Sequence, residues 1–234
     1  MTTSILLAWS GGKDSALALE RMTCDPRWRV EGLLTSVTSD YERISIHGVR
    51  RSILQAQADR SKLPLIEARM PAQASNAVYE TSFAAALHVA RTRNPDIATI
   101  AFGDLYLADV RAYRENLLAR LGWHCEFPLW GEDTAQLARQ FIARGYGATL
   151  CCVDTQQLDA QWCGREFDAA LLDALPAACD PCGENGEFHT CVHATPMWAQ
   201  PLDLVRGECV LRDGRFEYID LVERRPNEWL PDTA

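Results

Sequence analysis

Short continuous apolar runs trade places with amphipathic stretches along the first half of the chain. Residues 4–9 (SILLAW) form such a run, as a strand buried on both faces requires. A helix is predicted over 15–22, with Leu17 and Met22 among its apolar positions, and a second strand over 30–37. Ile53, Leu54, Gln57 and Ala58 recur at helical spacing within 49–60. A third strand over 65–68 follows Pro64, and a long helix over 76–93 carries Val78, Phe83, Ala86, Leu87 and Ala90 before Pro95. A fourth strand over 97–102 leads into a helix over 108–121, which Gly122 ends. This βαβα rhythm predicts an α/β fold, a doubly wound parallel sheet with helices on both faces.

The rhythm then loosens. A short strand over 125–128, a helix over 133–144 closed by Gly145, and an apolar strand over 148–153 are expected. Beyond Asp154 it breaks, and 176–190 is rich in Pro, Gly and polar residues without a period. Residues 204–222 read as two alternating strands around Asp213-Gly214, a strong hairpin signal. The expected organisation is a parallel-sheet domain over 1–125 and a smaller C-terminal α+β appendage over 126–234. No flexible linker separates them, so they are expected to pack together. The hairpin offers a sheet edge through which a homodimer can form.

Composition narrows the class. With 234 residues, 47% hydrophobic and 24% charged, the chain is globular rather than disordered or collagenous. It has no apolar run of about 18 residues, so no membrane partner is expected. The first residues lack the basic region and cleavage site of a signal peptide, which points to a cytoplasmic protein. A net charge of -9 disfavours bulk nucleic-acid binding, which depends on neutralising phosphates. The nine cysteines are then expected as reduced thiols, with Cys24, Cys151 and Cys152 in apolar contexts as small core residues.

The sharpest chemistry is Ser10-Gly11-Gly12-Lys13-Asp14-Ser15, directly after the first strand and before the first helix. Two glycines let the backbone turn tightly and approach a ligand. The free N–H groups and dipole of the helix start favour an anion, and Lys13 adds a positive charge. A Walker loop and a dinucleotide fingerprint both need glycine spacings that this segment lacks. A plain capping turn has no use for Lys13 and Asp14 together, so the segment suits a phosphate or pyrophosphate.

SGGKDS is the signature of the PP-loop ATP pyrophosphatases, proteins of a Rossmann-like (HUP) fold that this chain resembles. Within that class, His47-Gly48-Val49-Arg50, Gly103-Asp104-Leu105-Tyr106, the 109–115 segment DVRAYRE and the 180–190 segment DPCGENGEFHT are similar to the diphthine–ammonia ligase family. The resemblance implies adenylation of a carboxylate by ATP, release of AMP and pyrophosphate, and amide formation with ammonia. Mg2+ is the implied cofactor beside ATP. Ser10, Gly11, Gly12, Lys13, Asp14 and Ser15 would hold the phosphates. Ala8, Trp9, Thr35 and Ser36 would lie near the adenosine, with Gly103 and Asp104 on the same crevice. Arg111 and Arg114 either bind a phosphate or substrate carboxylate or stay solvated, and His47 either contacts substrate or caps its helix. The alanine- and arginine-rich composition reads as bacterial, so the resemblance does not fix which carboxylate is the acceptor.

Glu184, Asn185, Glu187 and His189 form a second cluster on a segment without periodicity. With Lys13 and Asp14, the residues Glu184, Glu187 and His189 are the expected catalytic groups, and Asn185 is expected on the substrate. A carboxylate there can take a proton from an attacking amine. The alternative is an ordered turn whose polar groups serve the backbone. His88 and His124 are expected to be structural or at the surface. Two rival functions remain open at this stage. Cys179 and Cys182, with Cys191, can carry sulfur, hold an iron–sulfur cluster or, with His189, bind zinc. A protein that binds the nucleotide without turnover needs only the loop.

Overall fold

The computed structural model describes residues 2–224; the final part of the expected appendage, 225–234, lies outside that range. Five parallel strands build the first sheet: β1 (Thr3–Ala8), β2 (Trp28–Thr38), β4 (Leu65–Met70), β5 (Thr99–Ala101) and β6 (His124–Glu126). β2 lies between β1 and β4, and β1 between β2 and β5, with β6 outermost. The order therefore reverses between β1 and β5, the place where doubly wound sheets bind ligands. β1 ends opposite Leu34, and the two-residue β3 (Arg43–Ile44) pairs antiparallel with Val37 and Thr38. β3 is too short to leave a pattern in the sequence.

Four helices cover this sheet: α1 (Lys13–Cys24), α2 (Arg51–Ser61), α3 (Asn76–Arg93) and α4 (Ala108–Arg120). Leu17, Leu19, Ile53 and Leu54 bury one face of it, while Phe83, Leu87, Leu117 and Leu118 bury the other. α3 spans the expected residues, because Ser75 caps it by accepting from the Val78 N–H. β2 runs longer than expected and β5 shorter, since flanking residues without an apolar run still pair or drop out of the ladder.

The second sheet is antiparallel and contains β7 (Gly147–Asp154), β8 (Phe188–Ala194), β9 (Leu204–Arg212) and β10 (Phe216–Glu223), in the order β8-β7-β10-β9. β9 and β10 meet at Asp213 and Gly214, both with positive φ, and Arg215 N–H closes the turn on Arg212 O at 2.9 Å. α5 (Thr134–Ala143) and α6 (Ala169–Ala174) complete the second half. β8 was not legible in sequence: its Thr190, Cys191 and Val192 are all buried, so no alternation marks it.

The two halves share one hydrophobic cluster that runs from Leu17 and Leu54 to Phe141, Leu150, Phe188 and Ile219. Gln57 pins the seam. Fully buried, its amide accepts from Trp9 Nε1 at 2.9 Å and donates to Gly11 O at 3.1 Å and Val192 O at 2.8 Å. Gln57→Leu removes all three of these bonds, leaving Gly11 O only its bond from Val192 N–H, and is expected to cost about 2–4 kcal/mol, measured by denaturant unfolding. A loss within a few tenths of that of a surface substitution would show that water can replace the amide.

Candidate active site

A cavity of about 720 Å³ opens at the carboxyl ends of β1, β2 and β5 and is closed from the other side by the second half of the chain. Its phosphate-loop end is built from the first turn of α1. Gly12 N–H donates to Ser10 Oγ at 3.3 Å, and Lys13 N–H to Thr190 Oγ1 of β8 at 3.0 Å. β8 also grips the loop through Val192 N–H to Gly11 O at 2.8 Å. Lys13 is buried, and its Nζ lies 2.8 Å from Asp14 Oδ2. Burial alone would lower the Lys13 pKa, but the carboxylates of Asp14 and Glu184 outweigh it and hold the ammonium protonated. Burial pushes the Asp14 carboxyl up, against the pull of Lys13. Gly103 packs directly on this turn: a Cβ there would sit 2.9 Å from the Asp14 carbonyl carbon.

Two imidazoles overhang the loop. His47 Nδ1–H donates to Thr190 O at 3.3 Å, and its ring lies 4.6 Å, centroid to centroid, from that of His189. A Cβ on Gly12 would be 3.0 Å from His47 Cε1. Burial drives the His47 pKa down to about 4 and that of His189 well below its usual range, with Lys13 adding to both depressions. Both rings are therefore neutral at pH 7 when no ligand is bound.

The 180–187 segment forms the roof, and Glu184 and Asn185 face the cavity. Burial and the Asp14 charge lift the Glu184 carboxyl to about 7, with Lys13 pulling the other way. Tyr106, next to the Gly103-Asp104 turn, donates to Asn185 Oδ1 at 3.1 Å and joins the two halves over the cavity. Glu187 corrects the expectation of a catalytic group. It is buried behind the roof, where its carboxylate accepts from Asp180 N–H at 2.9 Å and from Asn185 N–H and Nδ2 at 3.0 Å. Here the ordered-turn alternative holds: Glu187 folds the segment that presents Glu184.

The far end is more apolar, with Ala8, Leu34, Phe83 and Phe102 beside Thr35, Ser36 and Tyr79. Asp104 and Arg114 pair there at 2.8 Å, and the Arg114 guanidinium lies 4.3 Å over the Phe102 ring. Trp9 touches the cavity, but its indole is committed to Gln57 in the core. Gly11 and Gly12 shape the loop without lining the cavity. Arg111 lies elsewhere, stacked between Phe127 and Trp130 at 4.8 and 4.6 Å and paired with Glu115, so it is not positioned for substrate. Thr190, Tyr79 and Phe83 were missed. Thr190 ends the family-like segment, but nothing in the sequence shows that it reaches α1; Phe83 reads as an ordinary apolar position of its helix, and Tyr79 carries no signal of its own.

The sulfur chemistry finds no support in the thiols. Cys182 Sγ donates to Thr134 O at 3.3 Å, and burial raises its pKa; burial likewise pushes Cys179 and Cys191 up to about 12. Burial thus favours the protonated thiol at all three, although Cys182 also lines the cavity. Among the described residues, no helix is long and apolar enough to cross a membrane.

Fold and site together define an α/β protein of the PP-loop class, with a cavity at the switch point of its parallel sheet. The chain belongs to the diphthamide synthase family: residues 1–125 match that family's N-terminal domain and residues 133–220 its C-terminal domain. It is also similar to a diphthine–ammonia ligase of Schizosaccharomyces pombe, with 28% identity over 149 residues. That match covers 60% of this chain and 24% of the longer relative.

The Glu184 carboxyl titrates at about 7 in the folded chain and near its ordinary 4.5 when exposed. The folded state therefore holds this proton more tightly, and the group's contribution to stability is lost as pH rises between those two values. Glu184→Gln is expected to raise the melting temperature relative to the parent more at about pH 8 than at about pH 5. Equal shifts at both pH values would place Glu184 in an ordinary solvated setting.

Proposed function

We propose that this chain is an ATP-dependent ligase that adenylates a carboxylate and converts it to an amide with ammonia, releasing AMP and pyrophosphate. The observation that carries this is the convergence of the Lys13–Asp14 pair and a carboxyl titrating near neutrality, Glu184, on one cavity at the PP-loop. Family membership and the diphthine–ammonia ligase relative support the same chemistry.

In this reading the α1 N-terminus, Ser10, Ser15 and Lys13 hold the β- and γ-phosphates, and the adenosine lies along Ala8, Thr35 and Ser36. An acceptor carboxylate oxygen attacks the α-phosphorus, the bond to the bridging oxygen breaks, and pyrophosphate leaves with the charge that Lys13 stabilises. Ammonia then attacks the acyl carbon and AMP leaves. Glu184, poised near pH 7, takes the proton that the attacking nitrogen must shed.

Mg2+ fits this site as a companion of the nucleotide. It binds through one or two carboxylates plus substrate phosphates rather than a protein cage. Asp14 Oδ1 is buried without a hydrogen-bond partner, and Asp104 faces the same cavity. Lys13 and Arg114 are each paired with a carboxylate, so a triphosphate brings charge that neither cation is free to cancel alone. When bound, the ion would neutralise phosphate charge. The acceptor is a carboxylate such as that of diphthine, or another of similar reach.

The test supplies ATP, Mg2+, ammonium and a panel of carboxylates that includes diphthine, and measures nucleotide products. AMP with pyrophosphate, dependent on acceptor and ammonium, is expected; ADP as the product would overturn the assignment. Lys13→Ala is expected to lower pyrophosphate release by more than about tenfold with circular dichroism unchanged. Unaltered release would remove Lys13 from the phosphate site.

A further inference from the structure

The 43–50 segment that carries His47 is small, strained and held from outside. Arg43 and Arg50 bridge its two ends, and Gly48 N–H bonds to Ile44 O at 3.0 Å across its neck. Its tip, Ser45, Ile46 and His47, lines the phosphate-loop side of the cavity. Ile46 is β-branched, 68% exposed, and sits at φ 73°, a conformation that such residues leave unless something restrains them. Local bonds supply part of the restraint: Ile44 N–H to Val49 O at 2.8 Å, Ser45 N–H to Ser36 O at 3.2 Å and His47 N–H to Ser45 O at 2.9 Å.

A second restraint reaches it from the β9–β10 hairpin. Asp220 of β10 accepts from Arg50 Nε at 2.8 Å and Nη2 at 2.6 Å, and its Oδ1 also accepts from Arg43 Nη2 at 2.8 Å. Arg43 Nη1 continues to Gly48 O at 2.8 Å. One carboxylate thus ties both ends of the segment. Beside it, Tyr218 lies flat against Gly48, where a Cβ would come within 2.4 Å of the ring. A single exposed ion pair contributes little, but a bidentate arginine shared with a second arginine sets a geometry.

The geometry points to Asp220, backed by Tyr218, as a positioning residue for the phosphate end of the site: it holds the 43–50 segment so that His47 stays seated over Gly12 and Thr190. Resting on the proposed nucleotide site, this assigns the hairpin a role in nucleotide affinity although none of its residues lines the cavity. His47 is the residue through which it acts. Lys13 of α1 and His189 of β8 are the titratable groups that face His47, and its ring bonds to the Thr190 backbone.

The test is a double-mutant cycle on the full chain, using binding of a non-hydrolysable ATP analogue with Mg2+. Asp220→Asn and His47→Ala are each expected to weaken binding about fivefold or more, and the double variant to bind no worse than His47→Ala alone. Asp203→Asn, which removes an exposed hairpin charge facing Arg224, should leave affinity unchanged. In parallel, the His47 ring proton is followed by NMR against pH without nucleotide. In the parent its imidazole should stay neutral down to about 4; in Asp220→Asn, with the ring released to solvent, its titration should move up towards the ordinary histidine range. Additive losses, or an Asp220→Asn chain whose His47 titrates as in the parent, overturn the positioning role. If the parent itself binds no analogue while His47 still responds to Asp220→Asn, the nucleotide reading fails and the clamp on His47 stands.

Discussion

A helix N-terminus buried between two halves of a protein cannot leave its donors unpaired, and that constraint organises this molecule. Lys13 N–H is satisfied by the Thr190 hydroxyl, and the Gly11 carbonyl by Val192 and Gln57. The loop that begins as a turn after β1 is thereby stitched to a strand made of residues nearly two hundred positions later in the chain. The shared apolar cluster and the Gln57 amide follow from the same need, because the seam must be dry to be specific and paired to be stable. The proposed phosphate site lies at this same helix start, so there a phosphate would compete with Thr190 for the same donor.

Electrostatically the cavity balances itself. The chain is acidic overall, at -9, yet each basic side chain lining the cavity is matched by a carboxylate: Lys13 by Asp14, Arg114 by Asp104. The imidazoles are neutral, and Glu184 sits at the edge of ionisation. Such a site carries little net field of its own. Burial is the largest cause that moves Asp14, Glu184, His47 and His189 towards their uncharged forms, whereas neighbouring carboxylates keep Lys13 charged.

Most of the first sheet was legible because buried parallel strands and amphipathic helices leave unambiguous periods, and the phosphate loop because its glycines and Lys13 sit where strand meets helix. What the sequence could not show was which polar groups face the cavity and which face the backbone. Glu184 and Glu187 are two positions apart in a segment without a period, and only the fold separates the one aimed at the cavity from the one spent on Asp180 and Asn185. Arg111 and Arg114 share a helix, yet one stacks on Trp130 and the other on Phe102. β8 escaped notice because its burial on both faces erased the alternation that marks a strand.

The contribution of Thr190 to the start of α1 has a consequence for biosynthesis. The loop emerges from the ribosome almost at once, but its capping hydroxyl and the strand that carries it are translated much later. Throughout that interval the nascent chain has glycine-rich donors facing water and no wall opposite them. The cavity is therefore not complete until the late strand has docked, so that assembly of the pocket and closure of the tertiary structure are the same event.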